Sequence, residues 1–461
     1  MKPSQNRPRR PSPAAPKPRK AAPAAAAPAR APLDVRMGMF LLWLLLLIPP
    51  FLFYPVAKES FRQPKLLASE WFALASLAAL AWGLSRVETV RLADLWRSPA
   101  VRAVLPLLVV ATAGLAVTRH PLHVREALTD LWIGAACLVG WSLALGAPRL
   151  ERLLAGLLIP ATLLGAIGIL QSTGVWQPLS IFGIEADARL AMTSTAGNPG
   201  DLGAFLVLPA LLAQWLLARA LRKEDRTGPA VWGAAGALGV CVGALVLTQT
   251  LAALAAFAAG TLLFWALVLP GRRALLAGAA LAAAVVVLVL AVAPLRERVV
   301  AKTRQAMAGD WNTVLTNRLD GWRAAVWMLE KNPLTGVGHG AYRPEFVPAK
   351  LSLLSRGAEF STDLRQQVVF ANAHNEYLEV GAEWGIPGLL ALAWALGVLL
   401  QALRRGAEPP GDRALAWAGT AALGVLALAH FPFRIALVAF PALLFLSWVM
   451  RRSAEPVEVE E

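Results

Sequence analysis

The sequence predicts an all-α, polytopic membrane protein with about 12 transmembrane helices and one large loop, on the non-cytoplasmic side, that contains short helices of its own. Composition is the first reason. Hydrophobic residues make up 57% of the 461 and charged residues only 16%, and a mean hydropathy of +0.55 is too high for a single buried core. Many segments must have lipid as their solvent. The second reason is that apolar runs of nearly spanning length recur along the chain, and only helices satisfy their own backbone there without closing into a barrel. The third is the placement of the cations. A net charge of +15 could suggest nucleic acid, but Lys and Arg fall between apolar runs rather than along one face, the pattern of cytoplasmic anchoring. Nucleic acid is therefore not an expected partner; membrane lipid is.

Taken in order, residues 1–36 are Pro, Ala, Lys and Arg without apolar periodicity, and they read as a disordered basic tail. The apolar stretch from Met37 lies too far in, and is too long, for a cleavable signal peptide. Within 37–294, runs near 37–55, 66–84, 103–118, 126–145, 153–171, 199–218, 230–248, 250–269 and 274–294 give transmembrane helices 1–9. Runs near 386–403, 414–430 and 435–450 give helices 10–12 within 386–450, and 451–461 is a second cytoplasmic tail. With the first tail inside, Lys and Arg on its side outnumber those of the short loops opposite by nearly four to one, so both termini are expected in the cytoplasm. Two runs meet at Thr248-Gln249-Thr250 with almost no loop; a tight hairpin is preferred there, because one long helix would put the Arg272-Arg273 and Arg404-Arg405 pairs outside.

Two outer segments stand out, 172–198 and 295–385. The second is too long to be an idle connector. In it Trp311, Val314 and Leu315, then Leu319, Trp322, Ala325, Val326 and Leu329, follow helical spacing, which predicts two or more short helices at the membrane surface or over the bundle.

No CxxC, HExxH or P-loop pattern occurs, so structural zinc, zincin chemistry and ATP hydrolysis lack support; no cofactor and no metal site are expected. Cys137 and Cys241 sit in apolar runs and read as small buried residues. Histidine is scarce, which narrows the search. His120, His123 and His430 read as interfacial polar residues, and His339 lies in the glycine-dense turn Gly336-Val337-Gly338-His339-Gly340. His374 is the functional candidate. It precedes a spanning helix in a segment carrying Glu376, Glu379 and Glu383, where a neutral imidazole can take a proton. Arg296, Arg298, Lys302 and Arg304 read as headgroup anchors. Arg189, the one cation of its loop, and Arg318 instead stand among Gly, Asn and Asp in sharply punctuated loops, which suits a fork for phosphate oxygens.

Four pieces together resemble the O-antigen ligase and O-antigen polymerase superfamily of bacterial envelope enzymes. They are Arg189 with Gly197-Asn198-Pro199; Arg318 with Trp322 and Asn332-Pro333-Leu334; Gly336-Val337-Gly338 with His339-Gly340; and His374-Asn375, nine residues, then Gly385-Ile386-Pro387-Gly388. The resemblance spans roughly 189–400 and the twelve-helix topology. It implies a bacterial inner-membrane glycosyltransferase whose active site faces the periplasm. Such an enzyme takes a glycan from undecaprenyl pyrophosphate and passes it to a hydroxyl of lipid A-core or of another glycan. By the same resemblance Arg189 and Arg318 would hold the pyrophosphate and His374 would activate the acceptor hydroxyl. Asn198, His339, Asn375, Glu376 and Glu379 would support them. The His-Asn-x9-Gly-x-x-Gly match favours a ligase; a glycan polymerase and a protein O-oligosaccharyltransferase are the alternatives. From another class, a flippase or transporter would predict mid-membrane charge and internal repeats, which the runs 66–84, 274–294 and 386–403 do not offer.

Overall fold

The computed structural model describes residues 33–57, 59–84, 92–176, 192–222, 228–269, 271–358, 360, 370–405 and 409–454. Their regular structure is helical, with no strand among the described residues. In chain order the helices are α1 (Leu33–Leu47), α2 (Arg62–Leu84), α3 (Leu92–Arg97), α4 (Pro99–Ala113), α5 (Pro121–Ala144), α6 (Ala147–Gly156), α7 (Leu158–Ser172), α8 (Pro199–Leu221) and α9 (Pro229–Leu247). They continue as α10 (Leu251–Val268), α11 (Arg272–Ala291), α12 (Ala293–Met307), α13 (Trp311–Val314), α14 (Arg318–Lys331), α15 (Tyr342–Leu354), α16 (Glu376–Arg405), α17 (Pro410–Ala427) and α18 (Ala436–Arg452). Proline opens α4, α5, α8, α9 and α17, where its missing N–H is one that the helix leaves unbonded anyway.

Each of the twelve predicted apolar runs is helical, and nine of the twelve spans are supported by length and composition. Among the described residues nine helices are long and apolar enough to cross a membrane, with α6 and α7 forming one span, Ala147–Ser172. Helices α11, α17 and α18 are not among them. Helix α18 has only 17 residues, and α17 opens on Pro410-Gly411-Asp412-Arg413, polar residues that shorten its apolar part. The first helix also starts at Leu33, inside the segment read as tail.

Helix α8 is the axis of the bundle: every residue from Asp201 to Trp215 is buried, as expected of a helix that is apolar all round. Large apolar side chains such as Trp71, Trp82, Leu276, Leu390 and Trp394 are exposed on the outside, where a lipid solvent accounts for them. The hairpin at Thr248-Gln249-Thr250 is present. Gln249 takes a left-handed φ of 52°, and the Thr250 hydroxyl donates to the Pro199 carbonyl at the start of α8. Further along, Gln214 of α8 donates to Thr261 of α10 at 2.8 Å. Helix α10 therefore runs alongside α8 in the same sense, while α9 runs against it.

The segments predicted to be outer loops meet at one end of the bundle. Lys65 donates to the carbonyls of Leu52, Phe61 and Thr195, Thr118 donates to the Val337 carbonyl, and His120 pairs with Glu345 at 3.0 Å. A second apolar core, including Val124, Leu128, Ala324, Met328, Tyr342, Phe346 and Trp384, joins the helices of the long loop to that end. The loop carries α12 to α15, in line with the expected short helices. Its most deeply buried stripe overlaps the predicted one only in part, at Ala325. Helix α14 turns Gly321, Ala324, Ala325 and Met328 inward and leaves Val326 40% exposed. Small residues let helices approach closely, and Leu319, Trp322 and Leu329 are half-buried beside them. At the opposite end Arg452 pairs with Glu151 at 2.6 Å and with Asp412 at 3.0 Å.

Candidate active site

Helix α16 is two helices joined end to end. Gly385 interrupts it with φ 67° and ψ −162°, a region open essentially to glycine alone. The break leaves the carbonyls of Ala382 and Glu383 without partners in the helix. Val337 and Gly338 of the glycine turn donate to them at 3.0 and 2.9 Å, and Ile386 donates to Pro333 at 2.7 Å. Approach this close requires glycine on the turn as well: a Cβ on Gly336 would stand 2.2 Å from the Glu383 backbone. The glycine turn and the Gly385 motif are thus one structure, two halves of a backbone joint.

The half-helix before the joint begins at Asn375, whose side-chain oxygen accepts the Leu378 N–H at 3.0 Å as an N-cap. His374 stands just ahead of it in a left-handed conformation, φ 56°, uncommon for a residue with a side chain. Its Nδ1 lies 3.1 Å from the Asn372 carbonyl oxygen. A carbonyl can only accept, so Nδ1 carries the proton and Nε2 keeps its lone pair. The ring packs edge-on between Phe370 and Phe431, with centroids at 5.7 and 5.0 Å. Burial first, and then the positive charge of Arg318, lower the imidazole from its ordinary 6.5 to about 4. It is a neutral base at physiological pH.

His430 is its neighbour and its opposite. Its Nδ1 accepts the Phe431 backbone N–H at 2.9 Å, so its proton sits on Nε2, which faces Asp201 at 3.9 Å. Burial, then Arg318 and His374, lower it to about 3. With its lone pair committed to the backbone, His430 cannot act as the base. It is 4% exposed and packs in the wall of this site.

Arg318 opens α14 after two left-handed residues, Thr316 and Asn317 at φ 57° and 61°. That helix packs on the His374 loop so tightly that a Cβ on Gly321 would meet the Ala373 carbonyl at 3.3 Å. A second arginine enters from α2. Arg62 grips Asp201 through Nε and Nη2 at 2.8 and 2.9 Å, and its guanidinium lies 5.4 Å over the Phe431 ring. Asn198 caps α8 by accepting the Gly200 N–H at 2.6 Å, and so fixes the helix start that presents Asp201. Arg189 lies outside the described residues, and its partnership with Arg318 stays an expectation.

Glu376, Glu379 and Glu383 share one face of the half-helix and converge on Arg434, at 3.6, 3.3 and 2.7 Å. Glu383 also meets His339 Nδ1 at 3.1 Å. The Trp384 indole N–H is equally near that nitrogen, but one nitrogen cannot donate and accept at once. Facing a carboxylate that also binds Arg434, it carries the proton and donates to Glu383. His339, Asn372, Glu376, Arg434 and Arg62 line a cavity of about 760 Å³ that continues between helices toward Leu446 and Met450. Its polar mouth is at the loop end and its depth is apolar.

The structure therefore brings Arg318, His374, Asn375, Glu376, Glu379, His339 and Asn198 to one end of the bundle. It adds Arg62, Asp201, His430 and Arg434, which the sequence reading passed over. Arg434 carried a usable signal: like Arg189, it is the one cation in its short outer loop. Arg62 carried none, since it sits among other polar residues at an ordinary helix start. Residues 235–393 match the family model described as O-antigen ligase. That segment runs from α9 into the crossing part of α16 and contains Arg318, the glycine turn and the His374–Gly388 motif, while Arg62, Asp201, His430 and Arg434 lie outside it. No curated protein matches the chain.

Proposed function

From the premise that this multi-pass chain is of the O-antigen ligase superfamily, we propose that it moves a glycan from undecaprenyl pyrophosphate to an acceptor hydroxyl of lipid A-core. The reaction takes place at the periplasmic face of a bacterial inner membrane. The tautomer of His374 carries the reading: with Nδ1 donating to Asn372, Nε2 is the lone pair available to an incoming O–H. The acceptor oxygen attacks the anomeric carbon, its proton passes to Nε2, and the bond from that carbon to the pyrophosphate breaks with inversion. Undecaprenyl pyrophosphate leaves as an anion. Arg318, with Arg189 as its partner, offsets the developing charge by bidentate hydrogen bonds. Arg62 is not assigned to phosphate, because Asp201 already occupies its fork. The apolar depth of the cavity beside the site suits a substrate with a lipid tail. In this scheme a metal has no step to perform.

The test is transfer by purified protein in proteoliposomes from lipid-linked glycan to lipid A-core. Arg318→Ala is expected to lower the rate about 10²–10³-fold and His374→Gln about 10²–10⁴-fold, each with the fold intact. Arg318→Lys should recover only part, lacking the planar fork. Wild-type turnover by His374→Gln would remove the general-base role, and a strict magnesium requirement would count against the metal-free scheme. In cells lacking the protein, loss of all capped lipopolysaccharide with lipid-linked polymer retained supports a ligase. Capping with single repeats would make it a polymerase instead.

A further inference from the structure

We propose that Arg434 is a positioning residue for His374, acting through Glu379, and that the three carboxylates around it tie the loops of the site into one unit. The inference rests on the general-base reading above. Each carboxylate that meets Arg434 spends its remaining capacity on a different segment. Glu379 accepts the Asn372 side chain at 2.9 Å and the Ala373 backbone N–H at 2.8 Å. Those two residues immediately precede His374, and Asn372 also supplies the carbonyl that sets the imidazole tautomer. Glu376 accepts the Phe433 N–H at 3.2 Å, in the loop that presents Phe431 to the His374 ring. Glu383 takes His339 and stands at the joint with the glycine turn.

Three carboxylates on one helix face repel one another, and in a buried setting that repulsion is poorly screened. The guanidinium is planar and offers several N–H groups in fixed directions, so it can meet all three. An ammonium at the same place is a point charge that cannot keep the same directions. Without Arg434 the carboxylates separate, and Glu379 loses its reason to sit beneath Asn372 and Ala373. His374 is held in a left-handed conformation that its own backbone does not favour, so it depends on such outside support.

The test compares Arg434→Lys and Glu379→Gln with the parent protein in the proteoliposome assay, alone and combined with His374→Gln. Each single variant is expected to lower kcat about 10–100-fold, the loss that a misplaced catalytic group produces, with KM for the lipid-linked donor changed less than about threefold. On the His374→Gln background the further loss should shrink below about twofold, because the support acts through a group already gone. A merely structural role predicts the contrary: the same fractional loss on both backgrounds, and that result overturns the proposal. So does an unchanged kcat in both single variants while His374→Gln is impaired. If His374→Gln itself turns over at the wild-type rate, the general-base reading fails first and takes this inference with it. Should Arg434→Lys not fold, Glu379→Gln, close to isosteric, carries the comparison.

Discussion

The protonation of His374 can be read directly, and it separates the proposed site from a coincidence of polar side chains. The shift from 6.5 to about 4 corresponds to roughly 3 kcal/mol against the imidazolium. Burial is the larger cause and the charge of Arg318 the next, with Arg62, Asp201 and His430 close by. Replacing Arg318 by Gln removes a positive neighbour, so the imidazolium becomes easier to form and the pKa rises. The value does not return to 6.5, because burial, the larger cause, remains. Pyrophosphate bound at Arg318 acts in the same direction and should raise the pKa by about 1–3. The chain has only 5 histidines, so imidazole resonances of labelled protein in nanodiscs can be assigned, with His374→Gln identifying the signal. His374 is expected to remain neutral from pH 8 down to about 5, to titrate higher in Arg318→Gln, and to respond to pyrophosphate only when Arg318 is present. The linked effect on stability has a fixed sign. Between the unfolded value of 6.5 and the folded value of about 4, the unfolded chain binds more protons, so stability falls as the pH falls through that window. A His374 that titrates near 6.5 in the unliganded protein, or that ignores the loss of Arg318, refutes the reasoning.

Two further outcomes follow. Gly385→Ala places a Cβ 2.5 Å from the Pro333 carbonyl at a φ of +67°, and is expected to destabilise the protein by about 3 kcal/mol or more; a thermal midpoint within a degree or two of the parent would remove the strained joint. Single cysteines at Ser352 and Ser453 should differ in intact cells, an impermeant thiol reagent reaching only the former, and labelling of Ser453 instead would invert the proposed orientation.

Hydropathy made the helices legible because lipid exposure and backbone satisfaction act on every residue of a span at once. Nine of those helices have the length and apolarity of a span among the described residues; α18, with 17 residues, is not one of them. The tight turn at Gln249 was readable from charge on either side of it, a constraint far from the turn itself. The face of α14 was legible only in part. Periodicity selects apolar residues and found Ala325, whereas close packing against the His374 loop also selected Gly321 and Ala324. Within the site, His374 and Arg318 could be named because each lies in a short run of unusual residues. Arg62, Asp201 and His430 come from helix ends more than a hundred residues apart from one another along the chain, and their relation exists only in space. The opposed tautomers of His374 and His430 depend on single backbone contacts, which no composition or spacing encodes.

The joint at Gly385 also acts as a ruler. Helix α16 is 30 residues long, and at 1.5 Å per residue an unbroken rod would measure about 45 Å, half as long again as the hydrocarbon core. Division at Gly385 leaves about 20 residues to Arg405, close to 30 Å, which matches the core. The nine or so residues before it rise at most about 13 Å beyond the boundary. Arg404 and Arg405 mark the lower end of this measure and the glycine turn its upper end. In the proposed orientation, His374 stands at a height counted from the hydrocarbon surface. In the proposed reaction, a sugar joined by pyrophosphate to a tail that stays in the membrane would meet His374 at that height, with no lipid lifted out of the bilayer.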